Sequence, residues 1–404
     1  MKKRKTISII GICTAVIISA AVIASRTVFF NKPDSSLSDD TIDFYYQWKD
    51  KYLIKNPYTT ENQYYVQYSE ENYEQTQSEV AVTVSEAHGY GMLSTACMSE
   101  YDREAKSIFD GMYNYYRAHL SNIGPNLMAW QQNDNGSEII NASGADSATD
   151  GDMDIAYSLL IADKIWDSNG NINYKDSAIS LINDIMTYEV NKTDWTLQLG
   201  DWVSDSDGDD KYYSATRSSD FIVQYMPIFA KVTGDKRWTK VYNSTYDIIN
   251  SFVSEYGTGL LPDFFIKDNG KFVPAPPDFL ESEHDGDFSY NSCRTPWRIS
   301  IDYLYGHNSD ALAFAETLNS FIQNSTDKNP KNIKAGYTLS GTSYEDYNDL
   351  CFTAPFLISA ACEGKNKWHD VLRENILDYG DDVYYGDTIK LLCLIADNNG
   401  WIVP

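Results

Sequence analysis

The sequence predicts an all-α fold, a body of many paired helices, and three observations carry that expectation. Apolar residues recur at helical spacing along most of the chain. Strand-like alternation is scarce. From about residue 84 onward the order long helix, polar loop, long helix recurs, although no short sequence repeat is visible. The plain form of such a body is an irregular bundle. The sharper form is a toroid of paired helices with its site at one mouth.

Taken in order, the chain opens on Lys2, Lys3, Arg4 and Lys5, followed by an apolar run from Ile7 to Ala24. A basic start before an apolar core is the pattern of a secretory signal. Ser19-Ala20-Ala21 or Val22-Ile23-Ala24 would be its cleavage site. The same run sits at the lower length limit for crossing a bilayer. If residues 7–24 stay uncleaved, they anchor the chain to the membrane. Residues 1–30 are therefore set apart as signal or anchor, 31–41 as a polar linker, and 42–404 as one catalytic-sized domain. Helices are expected over about 42–53, 84–98, 102–120, 152–167, 174–190, 217–233, 236–254, 295–305, 309–324, 353–362, 366–377 and 386–396. Residues 55–83, polar and Tyr- and Glu-rich, read as irregular.

The net charge of −26 over 404 residues repels phosphate backbones, so nucleic acid is not an expected partner. It would attract a cationic polymer. The 31 tyrosines and 9 tryptophans offer flat apolar faces with polar edges, suited to sugar rings or to a core. Beyond residue 30 the cysteines are Cys97, Cys293, Cys351, Cys362 and Cys393, none in a Cys-x-x-Cys pair, so buried free thiols are expected. No histidine–cysteine cluster, Gly-rich phosphate loop or Gly-x-Ser-x-Gly elbow is present, so no metal, no cofactor and no esterase chemistry is expected.

Three stretches carry chemistry. In the first, Asp150, Asp152 and Asp154 crowd the start of a helix whose apolar stripe is Ile155, Ala156, Leu159, Leu160 and Trp166. Thr149 or Asp150 can cap that helix, but one cap explains only one acid. A calcium loop fails, because Ile155 and Ile161 stand where it needs glycine and an acid. The option left is a carboxylate cluster facing a polar ligand such as a sugar. In the second, Ser85 can cap a helix with Glu86 in its first turn. Gly89 and Gly91 follow, each costing a helix about 1 kcal/mol, which marks a close approach. In the third, Arg294 and Arg298 flank a helix start with Pro296 in its first turn and can hold carboxylates. Arg217 and Asp220 precede another helix. Two long acidic loops, 200–213 and 268–292, carry Asp201, Asp205, Asp207, Asp209 and Asp210, and Glu281, Glu283, His284, Asp285 and Asp287. Glycoside hydrolysis needs two carboxyl groups, and Glu86, the Asp150 cluster and the Glu281/Glu283 loop supply candidates. Trp130, Trp195 and Trp202 are candidates for stacking on sugar rings.

Together, Val84-Ser-Glu-Ala-His-Gly-Tyr-Gly-Met92, Leu127-Met-Ala-Trp130, Ala148-Thr-Asp-Gly-Asp152 through Trp166, Leu199-Gly-Asp-Trp202, Thr216-Arg-Ser-Ser-Asp220 and Arg294-Thr-Pro-Trp-Arg298 resemble glycoside hydrolase family 8 over roughly residues 42–400. The resemblance implies an (α/α)6 barrel and inverting endo-hydrolysis of β-1,4-linked glycans. It implies Glu86 as general acid and Asp150 as the acid contacting the distorted sugar. Trp130, Arg217 and Arg298 fall on cleft positions, and Tyr90, Asp152 and Trp202 are expected to bind substrate. One position departs from the best-known branch: Asn291 stands where that branch has its aspartate base. The inserted loop with Glu281 and Glu283 resembles the branch of chitosanases, lichenases and some cellulases, whose base is a loop glutamate. Glu281 is the first choice for the base and Glu283 the second, with Asn291 and Glu283 left to contact substrate. A secreted, monomeric β-glucanase is expected, with a chitosanase as runner-up. A non-catalytic carbohydrate-binding protein or a polysaccharide lyase on a similar toroid are the alternatives from other classes.

Overall fold

The computed structural model describes residues 37–205, 211–379 and 383–404, and its helices fall into two packing environments. The signal or anchor segment at 1–30, residues 31–36 of the linker, and Asp207, Asp209 and Asp210 lie outside the described residues. Helix α1 (Asp39–Tyr52) leads through β1 (Leu53–Lys55), β2 (Tyr64–Val66), the short α2 (Tyr73–Thr76) and β3 (Val80–Val84) into α3 (Ser85–Cys97) and α4 (Ala105–Ala118). Strands β4 (Gln131–Asp134) and β5 (Ile139–Asn141) precede α5 (Thr149–Trp166) and α6 (Tyr174–Tyr188). Next come β6 (Val190–Asn191), β7 (Thr196–Leu197), β8 (Thr216–Arg217), α7 (Tyr225–Thr233) and α8 (Arg237–Tyr256). Strands β9 (Phe264–Asp268) and β10 (Lys271–Pro274) lead to α9 (Thr295–Gly306) and α10 (Ser309–Ser325). The chain ends with α11 (Leu350–Thr353), α12 (Pro355–Cys362), α13 (Lys367–Asp378) and α14 (Tyr384–Asp397).

Helices α3, α5, α12 and α14 are buried nearly all round, whereas α4, α6, α8, α10 and α13 bury one face. A helix apolar on every side belongs to an interior, and an amphipathic one to a surface layer. The single stripe expected on α5 is therefore a correction: every residue from Thr149 to Ala162 is buried, the acids included. Sequence neighbours pair as α3 with α4, α5 with α6, α7 with α8 and α9 with α10. The buried helices also touch across the pairs: α3 packs on α5, α9 on α12, α12 on α14, and α14 returns to α3 and α1. Trp48 of α1 donates its Nε1–H to Thr388 of α14 at 2.8 Å. Much of the tyrosine content fills the core, as in the stacked pair Tyr157 and Tyr225, 3.7 Å between centroids. The five described cysteines are free and buried.

The strands are short additions to a helical body. They form four small antiparallel sheets among the described residues, two of which, β3-β4-β5 and β8-β9-β10, occupy connections around the site. Runs of two to five residues are too brief for period-two alternation to register. The stretch 55–83, expected to be irregular, contains β2, α2 and β3. Two capping expectations also fail. Helices α3 and α5 follow Val84 and Ala148, with no side-chain cap. Thr149 instead donates to the Gln198 carbonyl at 2.7 Å.

Candidate active site

Glu86 and Asp150 meet because two helices start side by side. A Cβ placed on Gly151 would lie 2.6 Å from the Ser85 carbonyl carbon, and one on Gly89 2.7 Å from Asp154 Cβ. Glycine at both positions lets α3 and α5 approach at their N-terminal ends. The first turn of each then presents its acid, Glu86 or Asp150, to the same space. The Ser85 amide also donates to the Trp130 carbonyl at 2.8 Å, so the start of α3 fixes Trp130 beside Glu86.

That space is a cavity of about 360 Å³ lined by Glu86, Asp150, Trp130, Arg217, Glu281, Asn291, Tyr290, Arg294 and Tyr385, among others. Arg294 is its hub. Its Nη1 reaches Glu86 Oε2, Asp150 Oδ2 at 3.2 Å and Tyr90 Oη at 3.3 Å, while Nη2 donates to Asn291 Oδ1 at 2.9 Å. Asn291 in turn donates its Nδ2–H to Glu281 Oε2 at 2.8 Å. One chain of contacts thus runs from Glu86 through Arg294 and Asn291 to Glu281. Arg217 closes the other side, its Nη2 3.1 Å from Asp150 Oδ1 and 3.0 Å from Asp220 Oδ1.

The two central acids are pushed in opposite directions. Burial raises the pKa of Glu86 and the charge of Asp150 raises it further, against the opposing Arg294. Burial also pushes the Asp150 carboxyl up, but Arg217 and Arg294 more than offset it and hold the group below its ordinary value. Glu86 is thus biased toward its protonated form and Asp150 toward its ionised form. Glu86 retains 18% side-chain exposure.

Several expected substrate contacts sit elsewhere. Asp152 is fully buried behind the cavity; its Oδ1 accepts from the Met128 amide at 2.8 Å. Arg298 is buried beneath the floor, in a two-pronged pair with Asp154 and 4.0 Å from the Trp297 ring centroid. Tyr90 is buried too and meets the site through its contact with Arg294. Trp202 packs on Tyr212, and Glu283 is exposed; neither lines the cavity. Trp130 is 40% exposed at the cavity wall. Tyr290 and Tyr385 were not singled out from sequence. Tyr385 arrives from α14, and its hydroxyl donates to the Tyr290 carbonyl at 2.6 Å; no local pattern marks it.

The family model for glycosyl hydrolases family 8 matches residues 20–399. The chain belongs to that family. It is a glycoside hydrolase. A beta-glucanase of Niallia circulans is 46% identical over 357 residues, covering 88% of this chain and 83% of that one. An endoglucanase of Bacillus sp. strain KSM-330 is 35% identical over 375 residues, 91% of this chain and 78% of that one. Among solved structures, the apo beta-1,3-1,4-glucanase of Paenibacillus sp. X4 superposes with a TM-score of 0.83 at 43% identity, over 90% of this chain and 92% of that one.

Proposed function

We propose that this chain is an endo-acting β-1,4-glucanase that inverts the anomeric carbon, with Glu86 as general acid and Glu281 as general base. The observation that carries the reading is the shared cavity: two glutamates far apart in sequence line one space, joined by the bridge through Arg294 and Asn291. In this mechanism Glu86 gives its proton to the leaving glycosidic oxygen. The exposed Glu281 draws a proton from water attacking the opposite face. Asp150, held ionised by two arginines, contacts the sugar whose ring becomes positively charged. Asn291 cannot take a proton and serves to hold Glu281. Trp130 stacks on a sugar ring at the cavity wall.

Relatives named beta-glucanase and endoglucanase support glucan as substrate, cellulose or mixed-linkage. The charge of −26 favours a cationic glycan as a second reading, chitosan. The contacts of α3 with α5 and α14, and of α12 with α9 and α14, support an (α/α)6 barrel with the site at the helix N-termini on one mouth. No helix among the described residues is long and apolar enough to cross a membrane. We read residues 1–30 as the export signal or anchor and the enzyme as a monomer outside the cell. Parallel assays of soluble cellulose, barley β-glucan and chitosan test the substrate. Early-time NMR of the reducing ends tests the stereochemistry. Release of the α-anomer from β-glucan is expected; β-anomer release would reject inversion, and action on chitosan alone would reject the glucanase reading.

A further inference from the structure

We propose that Asp285 is a positioning residue that holds Glu281 at the cavity; the inference rests on the reading of Glu281 as general base. Asp285 is fully buried. Its Oδ2 accepts from the amides of Leu280 at 2.7 Å and Glu281 at 3.0 Å, and its Oδ1 from the Ser282 amide at 2.9 Å. Three successive backbone donors thus converge on one carboxylate, and the middle one belongs to Glu281 itself. No helix or strand spans residues 275–291, so regular hydrogen bonding does not fix this turn. Asp285 supplies what a ladder would otherwise supply.

The anchor is itself tied to the opposite wall of the site. The Asp285 carbonyl accepts from the Phe264 amide at 2.9 Å, and Phe264 in β9 is the register partner of Arg217 in β8. Position is therefore carried from Arg217 through Phe264 and Asp285 to the Glu281 backbone. The outer side of the turn is clamped by the His284 ring stacked on Tyr344 at 3.7 Å, with Nδ1 3.0 Å from Asp287. Asn291 fixes the far end of the Glu281 side chain. Asparagine at 285 would keep the shape but replace one acceptor oxygen by an N–H donor. Whichever way the amide turns, at least one of the three backbone donors loses its acceptor.

The test compares Asp285→Asn, Glu281→Gln and the double variant of the full chain on soluble β-glucan, with near-ultraviolet circular dichroism as a folding control. Asp285→Asn should lower kcat by roughly tenfold to a hundredfold, the cost of displacing a reacting group by about 1 Å, with KM within about twofold of wild type. In the Glu281→Gln background the same change should add nothing beyond about twofold, because both act on one step. A wild-type kcat in Asp285→Asn, or a second full loss in the double variant, overturns the proposal. Wild-type turnover in Glu281→Gln removes the base assignment and this inference with it; an impaired Glu281→Gln beside an unaffected Asp285→Asn removes this inference alone. Should Asp285→Asn not fold, Asp285→Glu takes its place under the same criteria, since it keeps the charge but moves it by one methylene.

Discussion

At the scale of single residues, the site is organised by one guanidinium shared between carboxylates of unlike character. Arg294 touches both Glu86 and Asp150, yet burial leaves the first raised and the two arginines leave the second depressed. Glu86→Gln retains the shape and the contact to Arg294 but has no proton to give. It should lower kcat on unactivated glucan by about a hundredfold to ten-thousandfold, the worth of general acid catalysis, with melting temperature preserved. Steady-state kinetics check this, and wild-type turnover would reassign the acid. The raised Glu86 also sets a sign. As the proposed acid it works while protonated, so the alkaline limb of kcat/KM should lie above 4.5, the ordinary value for glutamic acid. Trp130, exposed at the wall, should act on binding instead. Trp130→Ala is expected to raise KM by roughly three- to tenfold with little change in kcat, in line with about 0.5–1.5 kcal/mol for a lost aromatic face.

At the scale of elements, the decisive fact is how closely α3 approaches α5. Two glycines in α3 announced a close approach from sequence, and Gly89 meets the α5 backbone while Gly91 meets Val66 of β2. Gly151→Ala would force a methyl group to within 2.6 Å of the Ser85 backbone, next to Glu86. Overpacking of this kind costs about 1–3 kcal/mol. Urea unfolding should show that loss together with a fall in kcat, because relief of the clash moves the start of α3; a stable variant with normal kcat would show that the helices can part without consequence. The longer helices were legible because each carries apolar residues at helical spacing, whereas the four-residue α2 and α11 are too short to show a period. The strands were not, since β6, β7 and β8 are two residues each and owe their form to tertiary pairing. The cap assignments misled for a related reason. Ser85 and Thr149 have capping side chains and buried helix starts, but the Thr149 hydroxyl goes to the Gln198 carbonyl and the Ser85 hydroxyl makes no hydrogen bond at all.

At the scale of the whole molecule, the site was legible where residues cluster in sequence and obscure where the fold assembles them. Glu86, Asp150, Arg217 and Glu281 stand in marked local patterns, whereas Tyr385 reaches the cavity from a helix near the C-terminus. Sequence also could not separate the cavity acids from those behind it. Asp152 and Glu189 are electrostatically coupled in the interior: Glu189 Oε1 accepts from Ser147 Oγ, and Glu189 Oε2 and Asp152 Oδ2 are buried without a hydrogen-bond partner. Burial pushes Glu189 from 4.5 up to about 8, Asp220 from 3.8 to about 7 and Asp263 from 3.8 to about 6. Each keeps its proton in the folded state at pH values where the unfolded chain has released it. The folded state therefore binds more protons between about 4 and 8, and stability falls as pH rises through that window. Asp102 and Asp397, held below 3.8 by Lys49 and His369 despite burial, act oppositely and lose their contribution as pH falls. Stability should thus peak on the acid side of neutrality, and the melting temperature should drop by several degrees between pH 5 and pH 8. Glu189→Gln tests the origin of that slope. Its amide can donate toward Asp152 and still accept from Ser147, without a proton to lose. The variant should match wild type near pH 4.5 and melt higher at pH 8, as followed by calorimetry in matched ionic strength. A wild-type melting temperature that rises from pH 5 to pH 8, or a variant whose offset is the same at both ends, would show that the interior acids do not govern the stability of this fold.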